Sequence, residues 1–285
     1  MPPSRIPAIW LVLGSIASVQ FGAAIAKNLF GTVSPTTLVW FRLLTSAVVL
    51  LAIVRLGVRG HNRRDWLIAL AFGVCLVTMN WAIYQAFARL PLGIAVTIEF
   101  LGPLAVAVIG SKRLSDLIWV GLAGLGVALL GLSPAQLDPA GVAFALLAGL
   151  LWAGYILLSR QTGQRWPGIS GLAVASLVGA VIIAPAAIVQ AGDQLLDPRI
   201  LLLGVAIGLL SSLMPYSFEL IALRRMPARV FGILMSLEPA AAALVAMIFL
   251  GEFLSPVQWL AIGCVVAASI GAARGAGSMP KPAPD

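Results

Sequence analysis

Residues 89–103 read RLPLGIAVTIEFLGP and residues 225–239 read RMPARVFGILMSLEP, two stretches of equal length that open on Arg-x-Pro and close on a proline. Each carries a glutamate beside that closing proline: Glu99 four residues before Pro103, and Glu238 directly before Pro239. A proline removes a backbone donor and frees carbonyls one turn earlier, which lipid tolerates only against protein or a water-filled cavity. The chain therefore reads as two related halves, each with a helix kinked next to an acid. Farther along, Leu114-Ser115 with Trp119 matches Leu254-Ser255 with Trp259 after a shift of four residues, about one helical turn.

The surroundings of these stretches are apolar almost throughout. Of 285 residues 61% are hydrophobic and 10% charged, with a mean hydropathy of +1.05. A soluble domain carries about 25% charged residues, so the expected class is an all-α integral membrane protein. A spanning helix needs about 20 apolar residues, and ten runs qualify: 8–30, 36–54, 66–88, 92–111, 117–132, 140–159, 169–190, 199–223, 229–250 and 255–273. The first follows Arg5 and has small residues near Ala23, as a signal peptide would, but nine further spans make it a retained helix.

Counting Lys and Arg on alternate sides of these spans sets the orientation. One side holds Arg5, Arg55, Arg59, Arg63, Arg64, Lys112, Arg113, Arg160, Arg165, Arg224, Arg225, Arg229, Arg274 and Lys281; the other holds Lys27, Arg89 and Arg199. That split puts both termini in the cytoplasm and requires an even number of spans. Five helices per half then force the second half to sit upside down relative to the first. The expected organisation is ten transmembrane helices as two inverted five-helix repeats, residues 1–135 and 136–273, with a cytoplasmic tail of residues 274–285. Inverted repeats place their broken helices around a midplane site and alternate access by rocking, so the architecture points to transport.

Several function classes fall away. The net charge of +8 and a pI near 10.5 would suggest a nucleic-acid partner in a soluble protein. Here the basic residues sit in short loops, where they set topology and meet anionic lipid headgroups, and no nucleic-acid partner is expected. Cys75 and Cys264 lie inside spans and read as packing residues, with neither a disulfide nor a thiolate metal site. His61, the one histidine, lies in an Arg-rich loop, which excludes HExxH zinc chemistry and an intramembrane Ser-His pair. No GxxxxGK[ST] loop exists, so the chain alone does not hydrolyse ATP for transport. No cofactor, metal or catalytic residue is expected, and Asp193 and Asp197 read as solvated turn residues. An intramembrane enzyme would have to rest on serine with Lys27. A passive channel or scaffold shares the composition without explaining the duplicated kinked acids.

The expensive polar groups nominate the site. Glu99, Glu219 and Glu238 lie well inside spans, where an unpaired carboxylate costs several kcal/mol. Burial disfavours the charged form, which makes each a candidate proton carrier. Pro215 precedes Glu219 by four residues, and Ser212, Tyr216 and Glu219 share one face at i, i+4, i+7. Pro103, Pro215 and Pro239 are the expected kinks. Asn80 with Tyr84, Trp152 with Tyr155, and Gln20 are further pocket candidates on their helices. Arg42, the cation inside the second span, has three readings: pairing with a glutamate, binding a substrate carboxylate, or snorkelling outward, the last leading. Gly204 with Gly208, and Gly263, Ala267 and Gly271, form small-residue faces that let helices approach, by default within one chain.

The block from Pro91 to Val96 with Glu99-Phe100-Leu101-Gly102-Pro103-Leu104-Ala105-Val106-Ala107 resembles the EamA-type, ten-helix form of the drug/metabolite transporter superfamily. The block Pro215-Tyr216-Ser217-Phe218-Glu219-Leu220-Ile221-Ala222-Leu223, followed by the run from Phe231 to Pro239 and Gly251-Glu252, resembles its threonine/homoserine exporter branch. The similarity runs from about Gln20 to Gly271. What the resemblance implies is a bacterial-type inner-membrane exporter of amino acids and related metabolites, driven by the proton gradient. The implied central cavity is formed mainly by helices one, three, four, six, eight and nine. Gln20, Asn80, Tyr84, Glu99, Trp152, Tyr155, Ser212, Tyr216, Glu219 and Glu238 fall on it. Threonine and homoserine are the first substrates in this reading, a broader set including aromatic amino acids the second. Protons and membrane lipids are the other partners; a monomer is plausible, and the sequence does not set the oligomeric state.

Overall fold

The computed structural model describes residues 7–54, 60–109, 117–131 and 137–276. Arg5, Arg55, Arg59, Lys112, Arg113 and Lys281 of the charge count, the Arg229 side chain, Leu114 and Ser115 of the repeat match, and the tail after Ala276 lie outside the described residues. Every regular element within them is helical. In chain order these are α1 (Ala8–Asn28), α2 (Pro35–Ile53), α3 (Arg63–Phe87), α4 (Leu92–Glu99), α5 (Leu101–Ile109), α6 (Leu117–Gly131), α7 (Pro139–Gly163) and α8 (Ser170–Ala191). A short 3-10 turn (Gly192–Leu196), α9 (Pro198–Gly208), a π-helical turn (Leu209–Leu213), α10 (Met214–Leu223), α11 (Ala228–Met235), α12 (Glu238–Phe249) and α13 (Pro256–Ala276) follow. Among the described residues nine helical segments are long and apolar enough to cross a membrane, with α4–α5, α9–α10 and α11–α12 each acting as one segment. The expected fifth span is the 15-residue α6, shorter than the others.

The helix starts follow from local chemistry. The first backbone N–H groups of a helix have no intrahelical acceptor. Ser34 accepts from Thr37 N at 3.1 Å ahead of Pro35, and Asn62 and Asp65 form a reciprocal capping box at 3.0 Å each. Asp138 and Asp197 cap α7 and α9, each followed by a proline at the first helical position, where its missing donor is harmless. Asp197 is thus a cap as well as a turn residue.

Two close approaches fix the first broken helix. At Gly102 a side chain would run into the Gly149 carbonyl, and at Gly149 one would run into the Glu99 carbonyl, so α5 and α7 touch backbone to backbone at the break. Pro103 lies in the first turn of α5, and the interruption falls at Phe100, before the proline rather than at it, because Pro103 has no N–H to offer the Glu99 carbonyl four residues earlier. Pro239 likewise lies in the first turn of α12, directly after Glu238, while Pro185 leaves α8 continuous. The small residues Gly204 and Gly208 seat α9 on Phe41 and Thr45 of α2, and Gly271 seats α13 on Trp119 of α6, all within the chain; Gly263 faces open space.

The outer helix faces are apolar, and the interior, though largely apolar itself, holds the buried polar side chains. Leu150 and Leu202 are 70% and 71% exposed on outer helix faces, while Gln20, Asn80 and Glu238 lie buried between helices. Water would favour the reverse, and a hydrocarbon solvent favours this arrangement.

Candidate functional site

Both broken helices, together with α1, α2, α3, α7 and α10, converge on an interior cavity of about 150 Å³. An engineered apolar cavity of about 150 Å³ takes up benzene, so the space suits a small organic molecule. Of the residues expected from sequence, it brings together Gln20, Asn80, Glu99, Trp152, Tyr155, Tyr216, Glu219 and Glu238, with Pro215 beside them.

Each acid is held by a different device. Glu99 closes α4 and Glu238 opens α12, so both stand where a helix is interrupted. Gln20 donates to Glu238 Oε1 at 3.1 Å, while Glu238 Oε2 and Gln20 Oε1 are buried without hydrogen-bond partners among the described residues. Ser15, one turn before Val19 on α1, donates to Glu219 Oε1 at 2.6 Å. Asn80 donates to the Leu76 carbonyl of its own helix at 2.8 Å. On the α7 wall, Trp152 packs edge-on to Phe100 at 5.4 Å and Tyr155 lies 5.2 Å from Phe72. The Tyr155 and Tyr216 hydroxyls interact with each other.

Arg42 corrects the sequence reading. It does not snorkel outward but lines the cavity, donating from Nη2 to the Ser211 carbonyl at 2.8 Å and from Nε to Ser212 Oγ at 3.2 Å. The cause is Pro215, which cannot donate to the Ser211 carbonyl four residues earlier and leaves it for another donor. Ser18 takes the adjacent Leu210 carbonyl at 2.6 Å in the same way. The field of Arg42 reaches Glu99, Glu238 and Tyr216. The argument from the cost of buried charge that singled out the glutamates applies equally to Arg42 and was the signal for it.

Two further expectations are displaced. Ser212 is buried but lies outside the cavity wall, where it accepts from Arg42, and Ser211 lines the cavity in its place. The π-helical turn Leu209–Leu213 is wider than an α-turn, so counting i, i+4, i+7 across it selects the wrong serine. Tyr84 is fully buried among Phe30 and Phe87, outside the cavity, and its hydroxyl has no hydrogen-bond partner among the described residues. Phe87 and Met79 of α3 line the cavity without a sequence signal beyond their apolar character.

A larger neighbouring cavity, about 470 Å³, lies between α5, α7, α10, α11 and α13 and shares Trp152, Tyr155, Glu219 and Met235 with the central one. Pro103 borders this second cavity. At the opposite end of the central cavity, Lys27 forms an ion pair with Glu252 at 2.5 Å and donates to the Leu90 carbonyl, while Glu252 Oε2 accepts from Leu92 N at 2.7 Å. Lys27 thus ties α1 to the α12–α13 connection and to the start of α4.

Comparison with known proteins bears on this arrangement. Residues 139–274 match the EamA-like transporter family. The chain is 42% identical over 279 residues to the threonine/homoserine exporter RhtA of Escherichia coli (strain K12), covering 95% of this chain and 94% of that protein. It is 43% identical over 272 residues to the threonine/homoserine exporter RhtA of Salmonella typhimurium (strain LT2), covering 94% and 92%. Both relatives are transporters and not enzymes. A solved crystal structure shares the fold at a TM-score of 0.63 and 20% identity, over 95% of this chain and 98% of that one.

Proposed function

We propose that this chain, which belongs to the EamA-like transporter family of the drug/metabolite transporter superfamily, is an inner-membrane exporter of small neutral amino acids, threonine and homoserine first, working by proton-coupled alternating access. The observation that carries the reading is the composition of the central cavity, which sets three carboxyl groups and one guanidinium around a volume of about 150 Å³. A zwitterion entering a membrane interior needs a partner for its ammonium and one for its carboxylate, since either ion left bare costs several kcal/mol. Glu99, Glu219 and Glu238 serve the ammonium, and Arg42 serves the carboxylate. With three acids for one fixed cation, protons or a substrate ammonium supply the balance. Substrate and proton then compete for one carboxylate, which couples loading to release.

Ten spans in two inverted repeats, residues 1–135 and 136–273, account for how the helices pack. α3 packs on α7 as α9–α10 packs on α1, while α2 with α8, α6 with α13 and α4 with α12 are the pairs a two-fold axis in the membrane plane maps onto themselves. The larger cavity faces the end that carries Arg160, Arg165, Arg224 and Arg274, which the charge rule makes cytoplasmic along with both termini. The Lys27–Glu252 contacts close the other end. This is the form that loads from the cytoplasm. Protons and lipids are the remaining partners, and one chain contains both halves of the site.

The test is flux into proteoliposomes of the purified protein with labelled threonine and homoserine, with and without a pH gradient. The expected result is saturable flux of both, raised by the gradient. No flux of any amino acid, or flux that never saturates, would overturn the reading.

A further inference from the structure

Tyr155 stands on the wall of three cavities: the central one, the larger lateral one between α5, α7, α10, α11 and α13, and a third of about 130 Å³ between α3, α7 and α8. The third is lined along α7 by Tyr155, Ser159 and Thr162, and its rim is the exposed Gly163 and Gly168 at the α7–α8 corner, on the end of the molecule that carries Arg160 and Arg165. Tyr155, Ser159 and Thr162 are spaced i, i+4, i+7, so one face of α7 presents a hydroxyl at every turn over about 10 Å. Ser159 donates to the Ile156 carbonyl at 3.1 Å and Thr162 to the Leu158 carbonyl at 2.8 Å. That leaves the lone pairs of both hydroxyls for another donor. At the inner end the Tyr155 hydroxyl meets that of Tyr216, which in turn meets Arg42, and the charge of Glu219 reaches both hydroxyls. A cavity of this volume with polar partners along one side has room for several waters.

We infer that this third cavity is a proton route separate from the substrate's path: waters held by Thr162 and Ser159 join the cytoplasm to the Tyr155–Tyr216 pair, and through it to Glu219. The inference rests on the proposed proton coupling and names the groups that carry it. In the form that loads from the cytoplasm, the Glu219 carboxyl gives its proton to a tyrosine hydroxyl as that hydroxyl passes its own to the next oxygen, and the last water releases one to the cytoplasm. Only O–H bonds form and break, and the carboxylate left behind is free for the substrate ammonium. The lateral cavity also touches Glu219, but its lining is mostly aliphatic and aromatic, and it is the space an entering amino acid fills. A second route lets the proton leave while the substrate enters. The charged or titratable groups along it are Arg42 and Glu219 at the inner end. At the outer end stand Asp65, ion-paired with Arg165 at 2.8 Å, and His61, stacked on Trp166 at 3.8 Å.

The experiment compares two fluxes of labelled threonine in proteoliposomes. One is uptake driven by a pH gradient, with proton movement followed by an entrapped pH-sensitive dye; the other is exchange against saturating unlabelled threonine at equal pH, which moves no net proton. Ser159→Ala combined with Thr162→Val removes two hydroxyls and keeps the bulk, including the Thr162 methyl seated against Gly171. Ser269→Ala removes instead a buried hydroxyl of the lateral cavity. The expected result is that the double variant loses gradient-driven flux and proton movement at least fivefold while exchange stays within twofold, and that Ser269→Ala leaves both fluxes within twofold. A double variant that keeps its gradient-driven flux would overturn the route, and so would one that loses both fluxes equally while still eluting as a monodisperse species. Loss of gradient-driven flux in Ser269→Ala alone would overturn it by moving the proton to the lateral cavity. An unmodified protein that exchanges threonine but takes nothing from the gradient would remove proton coupling and the route together, and leave the amino-acid reading standing.

Discussion

α4 and α11 occupy the same place in the two duplicated stretches, each following an Arg-x-Pro opening and leading to a break, yet their surroundings differ completely. All eight residues of α4 are buried, whereas none of the residues 230–235 of α11 is. The halves beyond the breaks reverse the relation: α12 buries five residues from Glu238 to Ala246, and α5 buries only Gly102 and Leu104. α4 and α12 are therefore packed together at one end of the molecule, with Gly93 set against Ala243, while α5 and α11 flank the lateral cavity at the other. The two sequences differ too. α4 (LGIAVTIE) carries no charge before Glu99 and suits burial on every side, whereas α11 (ARVFGILM) includes Arg229 and is apolar on one face. Part of the difference in burial is therefore written in the chain, and the residues that hold α4 down are the ones that can be tested.

The largest effect belongs to the acids at the two breaks. Glu99→Gln and Glu238→Gln keep the shape and remove a charge-assisted partner worth about 1.5–3 kcal/mol, so gradient-driven threonine flux in proteoliposomes should fall by about tenfold to a hundredfold. Equal losses would mean that the two breaks act as one site; a loss at only one would make the pair unequal in function as well as in burial. Next is Arg42→Gln, which deprives the Ser211 carbonyl of its donor. It should cost about 1–3 kcal/mol in thermal stability, and about tenfold in threonine affinity measured by equilibrium binding.

A smaller effect is expected at the closed end. Glu252→Gln removes the ion pair with Lys27, a change of about 1 kcal/mol that shifts the closed-to-open ratio about fivefold. In a background of Cys75→Ser and Cys264→Ser, labelling of Tyr84→Cys by a membrane-impermeant thiol reagent added from outside should rise accordingly. The smallest contrast is between the adjacent serines of the π-helical turn. Ser212→Ala should lower the thermal stability by about 1 kcal/mol or less, and Ser211→Ala, whose hydroxyl has no hydrogen-bond partner among the described residues, should leave stability unchanged and alter the KM for threonine.

The spans were legible in the sequence because each is an apolar run bounded by charges, proline or glycine, but their starts were not. The cap and first-turn pairs Ser34-Pro35, Asp138-Pro139 and Asp197-Pro198 begin each helix one residue before the expected position, and Asp197 reads in the sequence only as a turn residue. The acids were legible because burial of a carboxylate is costly wherever it points. What escaped depends on direction rather than cost. Arg42 and Tyr84 each sit on a span that could turn them either way, and only the freed Ser211 carbonyl for one and the Phe30 and Phe87 rings for the other decide it. Ser211 escaped because a single wide turn moves every later residue around the helix axis, and the short run Leu-Leu-Ser-Ser-Leu gives no sign of it.

The most direct test of the asymmetry between α4 and α11 is the side from which each end can be reached, and how that changes during transport. In the same cysteine-free background, Phe231→Cys on α11 and Tyr84→Cys near α4 would be labelled by an impermeant thiol reagent in right-side-out and inside-out vesicles, with and without threonine and a pH gradient. The account expects position 231 to react only from the cytoplasmic side and position 84 to be protected at rest, with reactivity at 231 falling and at 84 rising from outside when threonine and the gradient are supplied. Reactivity at both positions that stays the same under all conditions would contradict it.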